Sequence, residues 1–352
     1  MIHDIGAAGL RLLPAEDAHD LSLRLLEAGL APRVSQRASA GLEIELAGLR
    51  LSNPIGLAAG YDKNAVAVDA LLGMGFGFVE GGTITPLPQA GNPKPRLFRL
   101  QADGAVINRM GFNNKGLEAA LARLKARAGR GGIVGVNVGA NKDSQDRAQD
   151  YVTGLLAAWP YASYITANIS SPNTPGLRGL QEGGALQDLL GRLAQARSQA
   201  SVAHGARPLF LKIAPDLDEE AIAGIVEQAI ANGLDGLIVS NTTVARPESL
   251  VSADKAQAGG LSGAPLFDLS TAALRCAARA ARGRLVLIGA GGIDSGQAVF
   301  TKLKAGASAV QLYSALALQG PGLIVRILKE LKALLHVRGL RTVGDAVGLD
   351  LR

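Results

Sequence analysis

Residues 168–181 read NISSPNTPGLRGLQ, and the stretch leading into them, SYITANI at 163–169, has the apolar, β-branched character of a buried strand. Asn168, Ser170, Ser171, Asn173 and Thr174 are therefore delivered to a strand's C-terminal tip, the end at which an α/β barrel carries its chemistry. Amides and hydroxyls are neutral donors and acceptors. They suit the carbonyl and N–H edges of a heterocycle, whereas a phosphate or metal ion calls for cations or carboxylates. The stretch reads either as a site for a ring with imide groups or, more plainly, as an Asx/Ser-Pro turn that stops a strand.

Polar tips of this kind recur. AAGYDKNA (58–65) offers backbone amides at Ala59 and Gly60 and a cation at Lys63, and GGTITP (81–86), GVNVGANKD (135–143) and VSNTT (239–243) each close an apolar run. LKIAPDL (211–217) sets Lys212 near the interior mouth. GAGGID (289–294) runs from a strand into a helix, so glycine amides and a helix N-terminus can face an anion, and VQLYSAL (310–316) adds Tyr313 and Ser314 as donors. Loops after the last two strands are the usual phosphate site of a barrel. A phosphate-bearing cofactor held there would leave its ring over the barrel mouth, beside Asn168, Ser171 and Lys212. The plainer alternative is a glycine pair needed only for tight packing.

The elements that must position these residues alternate along the chain. The pattern predicts strands at 54–59, 76–81, 132–138, 163–169, 208–213, 235–240, 285–290 and 307–312, and helices at 64–73, 114–127, 146–158, 184–200, 217–232, 268–281, 294–304 and 321–335. Eight alternations point to a closed (β/α)8 TIM barrel of the α/β class, and 352 residues suffice for one barrel, about 250 residues in the common case, plus an extension. LEIEL (42–46) and LRLS (49–52) around Ala47-Gly48 predict a hairpin that plugs the N-terminal mouth. Residues 1–30 break the rhythm: they read as two leucine-rich helices, roughly 2–12 and 15–29, broken at Pro14. Both are too short and too interrupted to span a bilayer, and a signal peptide is a poor fit, because acidic residues and His19 interrupt the apolar stretch and no small-residue cleavage site follows. They form a helical cover for one end of the barrel or an interfacial pair lying on a membrane surface. The expected division is an extension over 1–40 and a catalytic barrel over 41–352.

Hydrophobic residues make up 48% of the chain and 45 glycines mark many tight turns, a composition of a densely packed globular protein rather than a disordered one. The single cysteine, Cys276, excludes an internal disulfide, fits a reducing compartment, and reads as a small core residue. Four scattered histidines give no metal site of recognisable spacing. A net charge of +6 suits an anionic ligand or an acidic membrane surface, and without a basic-aromatic stripe nucleic acid is not expected.

Together AAGYDK, GTITP, GNPKPRLFRL (91–100), INRMGFNN (107–114), NVGANKD, NISSPNTPGLRGLQ, LKIAPDL, SNTT, GGLSG (259–263), GAGGID and VQLYSAL resemble, nearly end to end, the class 2, quinone-dependent dihydroorotate dehydrogenases. The resemblance implies an FMN-bound barrel that oxidises dihydroorotate to orotate in pyrimidine synthesis and passes electrons to a membrane quinone, peripherally at the cytoplasmic side of the inner membrane. It puts Ala59, Gly60, Tyr61, Asp62, Lys63, Thr83, Asn137, Asn168, Lys212, Ser240, Gly263, Gly292, Tyr313 and Ser314 around FMN. Lys63, Asn108, Arg109, Met110, Gly111, Phe112, Asn168, Asn173, Asn241 and Thr242 surround the substrate, and Ser171 is the catalytic base where the soluble class 1 relatives use Cys. Lys63 can neutralise the substrate's carboxylate, several Asn side chains can match a pyrimidine dione, and Lys212 can offset charge on a reduced flavin. The N-terminal helices become a quinone tunnel, with His19 and Arg99 as polar contacts for the quinone head. The pattern departs at Tyr61, where Leu or Phe is expected, and at Ser240, where Thr is common. Two other readings remain: the same oxidation in a soluble enzyme using fumarate or NAD, and a catalytically silent flavin- or phosphate-binding barrel that docks on membranes.

Overall fold

The computed structural model describes residues 9–35 and 38–352. The predicted helix over 2–12 lies largely outside the described residues, and its partner runs over Ala15–Glu27. It ends at Gly29, whose positive φ of 80° lets the Gly29 and Leu30 amides fold back onto the carbonyls of Leu26 and Leu25.

A hairpin of β1 (Ile44–Leu46) and β2 (Leu49–Leu51) comes next, turned through Ala47 and Gly48, both at positive φ as a two-residue turn of this hand requires. The eight barrel strands are β3 (Ile55–Leu57), β4 (Phe78–Ile84), β7 (Ile133–Val138), β8 (Tyr164–Asn168), β9 (Leu209–Ile213), β10 (Gly236–Val239), β12 (Val286–Ala290) and β13 (Ala309–Leu312). All eight pair in parallel and β13 closes on β3. Each falls within or overlaps a predicted run. Helices follow their predictions within a few residues, except that the first of the barrel begins at Val68 instead of 64, because 59–67 form a built turn described below.

Strand periodicity sorts the core into two parts. Val79, Val136, Ile165, Leu211, Leu237 and Val310 pack outward beneath the helices, while Phe78, Tyr164, Phe210, Ile238, Ile288 and Ala309 fill the barrel's interior against Leu46 and Leu51 of the plugging hairpin. The aromatic layer needs space on neighbouring strands: a Cβ at Gly135 would lie 2.1 Å from the Tyr164 ring. One pleat further toward the C-terminal ends, the same inward positions carry Glu80, Asn137, Thr166, Lys212 and Gln311, all buried. The bottom of the barrel is greasy and its upper layer is polar, so a site is built on a rigid floor.

A second sheet was not visible in the strand pattern. β5 (Leu97–Leu100), β6 (Ala105–Asn108) and β11 (Gly260–Gly263) form an antiparallel trio in the order β11-β6-β5. It brings Arg99, Asn108 and Gly263 to the barrel mouth. Cys276 is half-buried with its Sγ 3.6 Å from the Glu219 carbonyl, and is not the core residue its sequence context implied.

Candidate functional site

At the C-terminal mouth one continuous cavity of about 790 Å3 opens between the strand tips, the three-stranded sheet and the helix Ala15–Glu27. That is the size of a site for a cofactor and a second ligand together. It has three regions of different chemistry.

The first region is a cluster of amides. Asn168 donates through Nδ2 to Thr83 Oγ1 (2.9 Å), Thr83 donates to Asn137 Oδ1 (2.6 Å), and Asn137 donates to Glu80 Oε1 (2.7 Å). On the far side Asn241 Nδ2 donates to Ser170 Oγ (2.9 Å), which donates to Asn168 Oδ1 (2.8 Å). The donors all run one way, toward Glu80. Its Oε2 also accepts from Tyr164 OH (3.0 Å), Thr166 Oγ1 (3.2 Å) and Gln311 Nε2 (2.8 Å). Burial, with Glu80's charge adding to it, pushes the Tyr164 phenol well up, so it remains a donor. Glu80 thus orients every amide in the chain. Gln311, held by its NH2 group, is left with a buried Oε1 that has no hydrogen-bond partner among the described residues, and the residue lines the cavity. Asn173 Nδ2 donates to Asn108 Oδ1 at 3.2 Å, joining the loop after β8 to β6.

Ser171 is 5% exposed and lines the cavity; its Oγ accepts the Asn173 amide at 3.3 Å. That N–H favours a developing alkoxide. Arg178 braces the loop, donating to the Ser170 and Thr242 carbonyls at 3.1 and 2.9 Å while paired with Asp216 at 2.8 Å. Two cations border this region. Burial pulls Lys63 down to about 8, with Glu16 and Asp20 working against the shift. Burial also lowers Lys212, opposed by Glu80, and among the described residues no side-chain hydrogen bond of the Lys212 ammonium is formed.

The second region is a cradle of backbone. Gly292 has φ 74° and a Cβ there would meet Phe267 backbone and Cβ at 2.5 Å, so only glycine lets the chain approach. Gly263, Gly291, Ser262 and Ser314 complete the wall, with Ser314 Oγ donating to Ser262 Oγ at 2.8 Å. A glycine cradle, an unpartnered cation at Lys212 and the free acceptor of Gln311 together fit a phosphate-bearing flavin, whose ring presents an N–H and carbonyls.

The third region is apolar and is built by the N-terminal helix. Leu25, Leu26, Leu30, Met74, Leu316 and Leu318 line it. His19 is packed edge-on against Tyr61 (5.1 Å between centroids), which in turn meets Tyr313 (5.4 Å) edge-on. Burial, then the charge of Lys63, depresses the His19 imidazole to about 3, so it is neutral. Tyr61 fits for a reason the sequence did not show: Ser22 donates to the His19 carbonyl (2.7 Å), leaving its Oγ, 3.0 Å away, to accept the Tyr61 hydroxyl and tie helix to barrel. Arg99 lines the cavity but spends hydrogen bonds on the carbonyls of Arg11 (2.9 Å) and Leu13.

Of the residues singled out in the sequence, Ala59, Gly60, Tyr61, Lys63, Thr83, Asn168, Lys212, Ser240, Gly263, Gly292, Tyr313 and Ser314 line the cavity, as do Asn108, Met110, Gly111, Phe112, Asn173, Asn241, Thr242, Ser171, His19 and Arg99. Three do not. Asp62 is fully buried and accepts the amides of Asn64 (3.3 Å), Val66 (2.9 Å) and Ala67 (2.8 Å), shaping the turn that delays the helix to Val68. Asn137 stands behind Thr83. The Arg109 guanidinium stacks 4.7 Å over Phe98 and borders a separate recess of about 270 Å3. Glu80, Gln311, Ser262 and Arg178 were missed; for Glu80 and Gln311 the inward register of their strands was the available signal.

Comparison with known proteins agrees with this geometry. Residues 41–335 match the family model described as dihydroorotate dehydrogenase. The dihydroorotate dehydrogenase (quinone) of Parvibaculum lavamentivorans is 54% identical over 343 residues, covering 97% of both chains. That of Allorhizobium ampelinum is 53% identical over 338 residues, 96% of this chain and 93% of the relative. The crystal structure of DHODH from Eimeria tenella in complex with ferulenol superposes with a TM-score of 0.91 at 41% identity, over 96% of each chain. With a family model over the whole barrel and relatives this similar over nearly the full length, the chain belongs to the dihydroorotate dehydrogenase family, in its quinone-dependent class.

Proposed function

We propose that the protein oxidises dihydroorotate to orotate in pyrimidine synthesis with FMN as its flavin and a membrane quinone as electron acceptor. The observation that carries this reading is the meeting of the amide cluster, the glycine cradle and the leucine-lined mouth in a single cavity. FMN, when bound, supplies the acceptor for the hydride leaving C6 of the substrate and returns two electrons to the quinone.

The chain's own residues do the rest. Gly263, Gly292 and Ser314 hold the phosphate end, and Thr83, Asn168, Lys212 and Gln311 line the space for the ring. Asn108, Asn173 and Asn241 match the C=O and N–H edges of the pyrimidine, and the Lys63 ammonium pairs with its carboxylate. Ser171 Oγ takes the C5 proton, aided by the Asn173 N–H that stabilises the oxygen as it gains charge. Lys212 places positive charge beside the ring, favouring the reduced state. At the mouth, neutral His19 and Arg99 face the quinone head.

Residues 1–40 act as the tunnel and membrane extension and 41–352 as the catalytic barrel. Leu12, Leu13, Leu21, Leu25 and Leu30 of the N-terminal segment are exposed, and Leu25 and Leu30 also line the cavity, an apolar surface for a peripheral contact with the cytoplasmic face of the inner membrane. Among the described residues no helix is long and apolar enough to cross a membrane. The deciding experiment is to purify the protein, record its flavin spectrum and measure dihydroorotate oxidation with a short-chain quinone, fumarate or NAD. Turnover with the quinone alone is the expected result; equal turnover with fumarate or NAD overturns the acceptor, and no bleaching by dihydroorotate overturns the oxidation.

A further inference from the structure

The helix Gly296–Lys304 carries a charge into the core behind the glycine cradle. Lys302 is fully buried, and among the described residues no carboxylate lies within ion-pair distance of it. Its neighbour Lys304, in contrast, reaches Asp350 at 2.9 Å. An ammonium without a counter-ion is costly to bury, and an anion brought nearby offsets that cost. Burial draws Lys302 down to about 7, Arg275 adding to the shift and Asp268 opposing it, so the charged form gains most from any anion brought close.

The geometry shows where that anion would be. Lys302 Nζ donates to Ser270 Oγ at 2.6 Å and lies 5.0 Å from the Phe267 ring centroid. Ser270, also fully buried, has two carbonyls 3.1 Å from its Oγ, that of Phe267 one turn back in its own helix and that of Gly291 in the cradle, and its one hydroxyl proton serves both. In a trans peptide the carbonyl and the following N–H point in opposite directions. Drawing the Gly291 carbonyl back toward Ser270 therefore turns the Gly292 N–H forward, toward the cavity that both glycines line. No backbone hydrogen bond from that N–H is formed among the described residues.

We propose that Lys302 is a positioning residue for the flavin phosphate: through Ser270 it holds the Gly291–Gly292 peptide with its N–H toward the phosphate and adds a buried positive charge behind it. The inference rests on the flavin reading above. It gives Lys302 a role without contact with substrate or flavin ring, one that concerns the phosphate alone.

The test compares FMN with riboflavin, which has the same ring and no phosphate. Full-length holoenzyme, reversibly stripped of its flavin, is titrated with each ligand by fluorescence quenching in wild type, Lys302→Met and Ser270→Ala. Lys302→Met should weaken FMN by about ten-fold or more, the scale of a lost charge-assisted contact, and leave riboflavin within about two-fold. Ser270→Ala should shift FMN in the same direction by less. Equal weakening of both flavins, or unchanged FMN affinity, would show Lys302 to be only a core residue and overturn the inference. If Lys302→Met does not fold, Lys302→Gln, which keeps a donor and drops the charge, gives the same comparison. Wild type that binds neither flavin rejects the flavin reading itself, a result separable from any failure of the variants.

Discussion

Glu16 and Arg96 form a forked ion pair across the join between the N-terminal helix and the barrel: Oε1 accepts Nη2 at 2.7 Å and Oε2 accepts Nε at 3.2 Å. Lys94 adds a longer contact at 3.4 Å. Arg96 also holds the carbonyls of Ala90 and Asn92, so the pair links the apolar mouth to the loop over the substrate region. Glu16→Ala spares those loop contacts and should loosen the helix. At neutral pH and saturating dihydroorotate, flavin reduction should stay within about two-fold, because Glu16 reaches the substrate residues only through its charge on Lys63, while reoxidation by a long-chain quinone slows several-fold. Stopped-flow measurement of the two half-reactions checks this; equal slowing of both would assign the pair to general stability.

Acid should mimic that variant. Burial opposes the Glu16 charge, but hydrogen bonding and attraction from Arg96 outweigh it and hold the carboxyl below its usual value. A lowered folded value means the docking contribution is complete above the ordinary carboxylate range and is lost as pH falls through the folded one. Quinone-dependent reoxidation should therefore decline on acidification in wild type and not in Glu16→Ala; parallel profiles would reject the pair as the cause.

Ser171→Ala should retain flavin and orotate but lose flavin reduction by about two to four powers of ten at neutral pH. In wild type the rate of reduction should climb toward alkaline pH, since one amide hydrogen bond is modest help for a hydroxyl acting as base. A variant reduced as fast as wild type, in the same stopped-flow trace, would remove Ser171 from the mechanism.

Lys63 limits binding in the opposite direction. Burial brings it to about 8, so in the unliganded site the ammonium that meets the substrate carboxylate is present below that value and is lost above it. The orotate dissociation constant should rise about ten-fold per unit above pH 8 until the ligand's own stabilisation of the charge intervenes. Constant affinity from pH 7 to 9.5 would show that another group holds the carboxylate.

Glu80 and Lys212 should move the flavin potential in opposite senses. Lys212→Ala removes positive charge beside the ring and should lower the midpoint by about 30 mV or more, equivalent to 1.4 kcal/mol for two electrons. Glu80→Gln removes the buried negative charge that Lys212 feels and should raise it, and the substituted amide, being donor as well as acceptor, no longer imposes one direction on the Asn137–Thr83–Asn168 chain. Orotate affinity should fall with it. Spectroelectrochemical titration gives the signs, and shifts of the same sign in both variants would contradict the electrostatic account.

The barrel and most of its site were determined by the chain's local chemistry. Buried strands announce themselves as short β-branched runs, their C-terminal tips are polar because that end holds the ligands, and glycines at 291 and 292 mark a backbone that must come close; each of these signals lies within a few residues. What the tertiary structure alone decided depends on partners far apart. β6 and β11 are short and find each other across the chain, Ser262 Oγ reaching the Val106 carbonyl 156 residues away, so no local periodicity reveals the sheet that delivers Asn108. Asp62, Asn137 and Arg109 stand in the right motifs, yet the turn amides, Thr83 and Phe98 claim their side chains first. Glu80 sits inside the run 76–81, where nothing local gives it a role, and only the closed barrel, by bringing Asn137, Tyr164, Thr166 and Gln311 onto its two oxygens, makes it the group that orients the amides of the site.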